Sequence, residues 1–278
     1  MVDYEALGFP YLNDVIMRFI GGSQLHGAKL EGSDDTDYYG IFIEPLPKIC
    51  GLDSYEHFVH TTGGKPGGNG PEDVDITFYS LRKWAKLAAK GNPSIMHFLF
   101  AEPAYHTEEW MRIAVNWEMF TAKSHASAFF GYAHAQLQRL YGGRGQKNCK
   151  RQQLETDYGY DTKYAMHIVR LLHEGIELME KGRITLPGPN VQELIDIRRG
   201  IYKLPTVIER ATQLEEKLRE AEQKSWLPEH VDRDKISQLL AEVYADHWLK
   251  REQQQLREVQ QLMRMRGGFK GETKAQEA

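Results

Sequence analysis

Residues 21–44 read GGSQLHGAKLEGSDDTDYYGIFIE, a stretch that follows one predicted strand and includes the next. The strands are predicted at Val15–Ile20 and Asp37–Glu44, because both runs are short and rich in β-branched or aromatic residues. Residues two apart on a strand point to the same side, so the carboxylates of Asp35 and Asp37 converge. Two adjacent carboxylates repel each other unless a cation lies between them, and Mg²⁺ prefers such hard oxygen ligands. The stretch therefore predicts a metal site at the start of the second strand.

A third carboxylate is expected on the next predicted strand along the chain, Val74–Tyr79. A carboxylate there would allow two metal ions about 3.5–4 Å apart to stabilise both the attacking and the leaving oxygen of a phosphoryl transfer. Asp73 and Asp75 alternate onto one face of this strand, so both are candidates. We favour Asp75 because of its register with the Tyr-Ser-Leu run at 79–81.

Two glycine-containing segments near this region receive different interpretations. Gly22 permits a close backbone approach, and the Ser23 hydroxyl can hold a phosphate at the start of the following turn. The segment 61–71 reads TTGGKPGGNGP, and it lacks the phosphate-binding pattern G-x-x-x-x-G-K-[ST] because Pro66 follows the lysine. We interpret it as a flexible loop, for which a role as a lid over the site is the less favoured alternative.

The character of the sequence changes at about residue 105, beyond which the strand signal disappears. A helix is predicted at Leu81–Lys90, where apolar residues fall on one helical face after the N-cap Ser80. A second helix is predicted at Ser94–Phe100 after Pro93. Six helical patterns follow, at Glu108–Thr121, His125–Tyr141, Asp161–Lys181, Val191–Gly200, Pro205–Gln223 and Asp232–Met265. The Gly and Pro breaks between them are short, which indicates antiparallel neighbours. We therefore expect a small α/β domain followed by a helical domain.

Composition and charge restrict the class of protein. A chain of 278 residues is long enough for about two domains. Its 35 Lys and Arg against 39 Asp and Glu give a net charge of −4, which argues against a globally basic nucleic-acid-binding protein. Two cysteines are too few for a disulfide framework or a zinc cluster. No membrane-spanning run and no secretory signal is visible in the sequence, so a cytoplasmic protein is expected.

The order of motifs resembles a known family. Gly22-Ser23, followed about a dozen residues later by Asp35-x-Asp37, is similar to the signature of DNA polymerase β-like nucleotidyltransferases. Further motifs resemble one subgroup, the predicted nucleotidyltransferases associated with RNA-repair ligases of bacteria and phages. These motifs are SDDTDYYGI at 33–41, Asp75 ahead of YSLRK at 79–83, KGNP at 90–93, KYAMHIVRLL at 163–172 and IRRG at 197–200. His26 and Tyr39 depart from the subgroup pattern, which usually has an aromatic residue and often an arginine there.

The resemblance implies an α+β fold with three parts: a mixed-sheet nucleotidyltransferase domain at 1–105, an all-helical domain at 106–266 that closes the nucleotide cleft, and a flexible tail at 267–278. It implies transfer of a nucleoside monophosphate from a nucleoside triphosphate to an acceptor hydroxyl, with RNA the favoured acceptor and pyrophosphate released. The implied cofactor is Mg²⁺, with Mn²⁺ as an alternative. The implied metal ligands and catalytic residues are Asp35, Asp37 and Asp75, and the implied nucleotide-binding residues include Gly22, Ser23 and Ser33.

A stripe of basic residues lies on the predicted helix Asp161–Lys181. Lys163, His167 and Arg170 are spaced i, i+4 and i+7, so they share one face of this helix. A solvated surface face is one interpretation. The residues around the stripe are largely apolar, however, which favours a position in the interdomain cleft where the basic groups can bind the triphosphate. Lys163 is the best candidate among the three.

A second basic cluster and the identity of the acceptor leave alternatives open. The cluster has no acid within it and comprises Arg139, Arg144, Lys147, Lys150 and Arg151. It could bind the phosphates of an RNA or DNA acceptor, or be an ordinary charged surface. Transfer of a nucleotide to a protein or small-molecule hydroxyl is an alternative function. A non-catalytic nucleotide or RNA binder is another, although the three intact carboxylates argue against it.

Overall fold

In the computed structural model of the chain, the described residues are Tyr4, 7–30, 35–62, 73–142 and 149–268, with only the backbone described at 149–151 and 265–268. Within these residues, five strands form one mixed sheet: β1 Val15–Ile20, β2 Thr36–Phe42, β3 His57–Thr61, β4 Val74–Ser80 and β5 Tyr105–His106. Their order across the sheet is β3-β4-β2-β1-β5. Strands β2 and β4 are parallel, and the other neighbouring pairs are antiparallel.

The described helices that lie between the strands in the sequence are short, and most of those after β5 are longer. Their bounds are α1 Gly22–Leu25, α2 Leu46–Cys50, α3 Leu81–Ala88, α4 Pro93–Phe100, α5 Glu108–Ala114, α6 His125–Leu140, α7 Cys149–Tyr158, α8 Thr162–Lys181, α9 Val191–Arg198, α10 Leu204–Lys224 and α11 Arg233–Gly268. The α+β fold predicted from the sequence is therefore confirmed. In the part of the chain that is described, no helix is both long and apolar enough to cross a bilayer.

The sheet is apolar on both faces, and each face is covered differently. Met17 and Ile41 belong to a core cluster that continues into the helices. On the opposite face, Phe42 and Phe78 pack with Phe9 from the segment before β1. This alternation follows from the period of two along a strand, and it places Asp37 on the same face of β2 as Ile41. The helices therefore cover the face of the sheet that carries the carboxylates.

Helix α8 lies at the centre of the helical half and packs against α6, α9 and α10. It begins at Asp161, whose side chain accepts hydrogen bonds from the backbone N–H groups of Lys163 at 2.9 Å and Tyr164 at 3.0 Å. It ends at Gly182, which adopts a left-handed φ of 72°. Most of its residues are buried, so the helix is fixed at both ends and along its length.

Helix α11 returns from the end of the chain to the first strands. The Tyr244 hydroxyl donates a hydrogen bond to the buried carboxylate of Glu44, and Trp248 Nε1 donates to the Glu44 carbonyl at 3.0 Å. Arg251 Nε lies 3.0 Å from Asp14 Oδ1. Met17 of β1 and Val243 of α11 also belong to one cluster of buried residues. The two predicted domains thus share a continuous core, and their boundaries stay a prediction.

Among the described strands and α-helices, α2, β3, β5 and α7 were not expected from the sequence. Strand β3 lies at a sheet edge and alternates between exposed and half-buried residues, so its apolar signal is weak. Strand β5 has two residues only, and α7 is rich in glutamine and charged residues. The helix expected at Glu108–Thr121 is α5 followed by a separate 3-10 turn at Trp117–Phe120. Residues 63–72 and 269–278, which hold most of the glycine-rich segment and the predicted tail, lie outside the described residues.

Candidate active site

The register of the two parallel strands brings the predicted carboxylates together. Asp37 of β2 is the direct register partner of Asp75 of β4. Neighbouring strands lie about 4.8 Å apart and paired residues share a face, so the two side chains are adjacent. Asp35 precedes β2, and all three carboxylates line one pocket of about 340 Å³. Carboxylate oxygens in this arrangement form a donor set that fits a divalent cation such as Mg²⁺.

The turn after β1 closes over Asp37. The backbone N–H of Gly21 donates a hydrogen bond to the Asp37 carbonyl at 2.9 Å. Gly22 has a φ of +60°, and a Cβ atom at this position would lie 1.8 Å from Asp37 Oδ2. Ser23 follows and lines the same pocket. Only glycine therefore allows the chain to approach the carboxylate this closely while it turns into α1.

The facing wall of the pocket comes from α8. Lys163, His167 and Arg170, which the sequence placed on one stripe, all line the pocket that contains the three carboxylates. The stripe therefore lines this pocket and is not a solvated surface face. The pocket therefore has an acidic wall from the sheet and a basic wall from the helix, a charge distribution that suits a metal-bound polyphosphate.

Asp73, the alternative third carboxylate, lies in a different environment. Thr62 Oγ1 donates a hydrogen bond to Asp73 Oδ1 at 3.3 Å and accepts one from the Val74 backbone N–H at 2.8 Å. Asp73 is not among the residues that line the pocket, whereas Asp75 is. This difference in position agrees with the preference for Asp75.

Five predicted site residues have side chains that lie outside the described part of the structure. Ser33, Arg144 and Lys147 lie outside the described residues. Lys150 and Arg151 fall in the first turn of α7, where only the backbone is described. Their proposed contacts with a nucleotide or a nucleic acid stay predictions.

Behind the basic wall lies a buried polar cluster that the sequence analysis missed. Arg170 Nη1 lies 2.8 Å from Glu174 Oε1 and 3.1 Å from His26 Nε2. Glu174 Oε2 lies 3.1 Å from His97 Nε2. The four side chains come from α8, from α4 and from the residue that follows α1. The i, i+4 spacing of Arg170 and Glu174 was a visible signal for an ion pair, whereas nothing in the sequence linked either histidine to it.

Burial and charge set the protonation of this cluster. Burial lowers the pKa of His26 well below its usual value, and the neighbouring Arg170 guanidinium lowers it further. Burial alone would raise the pKa of Glu174, but Arg170 and His97 outweigh it, so the pKa lies below the ordinary range. His26 is therefore neutral and Glu174 ionised at neutral pH.

Among the described residues, two groups of side chains are candidates to hold a metal. Besides the three aspartates, one ligand atom from each of His26, His97 and Glu174 lies within 4.8 Å of the others. The Arg170 guanidinium already occupies the middle of this second group, and its positive charge opposes a cation there. The aspartate cluster is therefore the better site for a divalent cation.

Comparison with known proteins identifies related chains. The sequence model described as the RNA repair pathway DNA polymerase beta family matches residues 10–265. An uncharacterized 38.9 kDa protein from the nrdC-mobD intergenic region of Enterobacteria phage T4 is 28% identical over 131 residues, which cover 45% of this chain and 38% of that protein. The match thus spans well under half the length of this curated relative. A nucleotidyltransferase-like protein from Exiguobacterium sibiricum aligns with 80% of this chain and 72% of its own, at 12% identity and a TM-score of 0.30.

Proposed function

The chain belongs to the RNA repair pathway DNA polymerase beta family, and from this premise we propose that it transfers a nucleoside monophosphate from a nucleoside triphosphate to an acceptor hydroxyl. Membership confirms the resemblance stated from the motifs and makes the chain a polymerase β-like nucleotidyltransferase. The observation that carries the finer proposal is the pocket in which Asp35, Asp37 and Asp75 face Lys163 and Arg170.

The proposed chemistry assigns a role to each wall of the pocket. Asp35, Asp37 and Asp75 would hold Mg²⁺, or Mn²⁺, which when bound neutralises the phosphate charges that develop during transfer. The acceptor oxygen attacks the α-phosphorus, and the bond from that phosphorus to the bridging oxygen of pyrophosphate breaks. Asp75 takes the proton from the acceptor hydroxyl. Lys163 and Arg170 stabilise the departing pyrophosphate, and catalysis is mainly positioning and electrostatics.

RNA is the proposed acceptor. The description of the family supports this choice, and so does the basic cluster predicted around residues 139–151. The decisive experiment incubates the protein with each α-labelled nucleoside triphosphate, Mg²⁺ and RNA with a free 3′ end. We expect label in RNA together with released pyrophosphate. Label in protein or in a small molecule would instead indicate the alternative acceptors, and binding without transfer would indicate a non-catalytic module.

Lys163→Ala is expected to weaken binding of the nucleoside triphosphate by about 1–3 kcal/mol, because a charge-assisted contact with phosphate in a partly buried cleft is lost. Lys181→Ala is the matched control, since Lys181 lies at the other end of α8 and pairs with Glu177 at 3.1 Å. Titration of each variant with nucleotide and Mg²⁺ measures the effect. Equal affinity in the Lys163 variant and the parent would remove Lys163 from the triphosphate site.

Neutralising Arg144, Lys147, Lys150 and Arg151 together is expected to leave nucleotide affinity unchanged and to weaken RNA binding. The dependence of RNA affinity on salt should also become less steep, because fewer counterions are released when fewer phosphates are neutralised. RNA titrations at two salt concentrations measure both effects. An unchanged salt dependence would mean that these residues are ordinary surface.

A further inference from the structure

We propose that His26, His97 and Glu174 are positioning residues, which hold the Arg170 guanidinium so that its remaining N–H groups face the phosphates of the nucleotide. The inference rests on the proposed function, because it assigns to Arg170 the role of a phosphate contact. The cluster itself is buried: Arg170 is 8% exposed, and both histidines and Glu174 are between 5% and 7% exposed. Among the described residues, the carboxylate that pairs with Arg170 is Glu174 of the same helix. This pair alone does not explain why the guanidinium is buried beside the pocket.

The hydrogen bonds that Arg170 donates show how its guanidinium is held. The hydrogen bonds of Arg170 to described side chains use Nη1, which donates to Glu174 at 2.8 Å and to His26 Nε2 at 3.1 Å. Both hydrogens of Nη1 are thereby used, whereas those of Nη2 remain for another acceptor. Nε is buried and has no partner within the described part of the chain. Because Arg170 lines the pocket of the three carboxylates, a phosphate oxygen there is the acceptor that Nη2 fits.

The same hydrogen bonds fix the state of His26. Its Nε2 accepts from Arg170, so the ring is neutral with its hydrogen on Nδ1, which lies 3.3 Å from Glu174 Oε1. The lowered pKa of His26 agrees with this neutral state. Glu174 is held in turn by His97, whose Nε2 lies 3.1 Å from Oε2. His97 thus orients Glu174, and Glu174 and His26 together orient the guanidinium of Arg170.

A second cavity beside the cluster explains why such support is required. This cavity has a volume of about 170 Å³, and His26, Arg170 and Glu174 line it as well as residues of the turn after α8. Arg170 therefore stands between two spaces, the carboxylate pocket and this second cavity. Without His26 and Glu174 on Nη1, the guanidinium could rotate away from the nucleotide. The positioning residues select the orientation toward the pocket.

The test uses His26→Phe, which keeps the aromatic ring that packs against His97 and removes both nitrogens. His173→Phe is the matched control. His173 also belongs to α8, but its Nε2 pairs with Glu193 Oε2 at 2.8 Å. Nucleoside triphosphate and monophosphate are titrated with Mg²⁺ into the parent, both variants, Arg170→Ala and the double variant His26→Phe/Arg170→Ala. Melting temperatures are measured in parallel.

We expect His26→Phe to weaken triphosphate binding about tenfold and monophosphate binding little, with His173→Phe unchanged. In the Arg170→Ala background, His26→Phe should have no further effect, since the two act as a unit. His26→Gln, whose amide can both accept and donate, should recover part of the affinity; it also serves if the phenylalanine variant does not fold. Unchanged triphosphate affinity in folded His26→Phe, or an equal loss with Arg170 absent, would overturn the proposal.

Two results separate this inference from the proposed function. A parent protein that binds no nucleoside triphosphate would refute the proposed function and the inference with it. A parent that binds the triphosphate through Lys163, with Arg170→Ala unaffected, would overturn the inference alone. One equivalent of Zn²⁺ bound by the parent and lost in His26→Phe would also overturn it, because the cluster would then be a metal site.

Discussion

Asparagine in place of Asp37 is expected to lower nucleotidyl transfer by about a thousandfold or more while the protein remains folded. Asp37 lies opposite Asp75 in the strand register, at the pocket that also contains Asp35. The amide keeps the size of the side chain but removes a charge from the proposed cation site. The hydrogen bond from the Gly21 N–H to the Asp37 carbonyl does not depend on the side chain, so the turn should persist.

Asp73→Asn is the matched control for this prediction. Asp73 directly precedes β4 but pairs with Thr62 outside the pocket, so transfer should be near that of the parent. Initial rates with a labelled nucleotide and Mg²⁺ measure activity. The parent should also melt at a higher temperature with Mg²⁺ and nucleotide present, and Asp37→Asn should lose this shift. Transfer that survives in Asp37→Asn, or disappears in Asp73→Asn, would contradict the assignment.

Gly22→Ala is expected to reduce transfer by about a hundredfold, because the new Cβ atom and Asp37 Oδ2 cannot occupy the same space. The Cβ would lie 1.8 Å from that oxygen, so either the carboxylate or the turn must move. The left-handed φ of +60° adds a cost of about 1–2 kcal/mol in unfolding free energy. Displacement of the proposed metal ligand Asp37 by about an ångström is sufficient for the expected loss of activity.

Gly159→Ala separates the two effects of the alanine. Gly159 has a φ of +80°, and a Cβ there would meet nothing within 4 Å. This variant should therefore lose a similar amount of stability in denaturant titrations and retain full transfer. If Gly22→Ala and Gly159→Ala have the same activity, the close approach to Asp37 has no role in the reaction.

The carboxylate site could be predicted because its pattern is local. Asp35 directly precedes β2 and Asp37 lies on it, so the extended chain with its period of two is sufficient to place them together. The position of Asp75 could not be predicted from this period alone. Its pairing with Asp37 depends on the register of two parallel strands, and the connection between them contains β3. Alternation alone allowed Asp73 equally well. The resemblance to a family, rather than periodicity, was what joined the three carboxylates in one site.

The cluster around Arg170 could not be predicted in the same way. His26, His97 and Glu174 come from three separate parts of the chain and meet only when α4 and α8 pack beside α1. A histidine within an apolar helix such as α4 carries no periodic signal of its partner. The missed elements have a related cause: β3 is half exposed at an edge, and α7 has no apolar stripe, so neither stands out from a loop.

The bond between Tyr244 and Glu44 has a consequence for how the protein is made. The two residues are 200 positions apart in the chain. At about 5–20 residues per second, a ribosome needs roughly 10–40 s to synthesise the intervening segment. Throughout that interval the first strands are complete, but the helix that covers Glu44 does not yet exist. The carboxylate of Glu44 therefore stays uncovered until α11 has been synthesised, and during this interval the nascent sheet is open to misassembly or to chaperones.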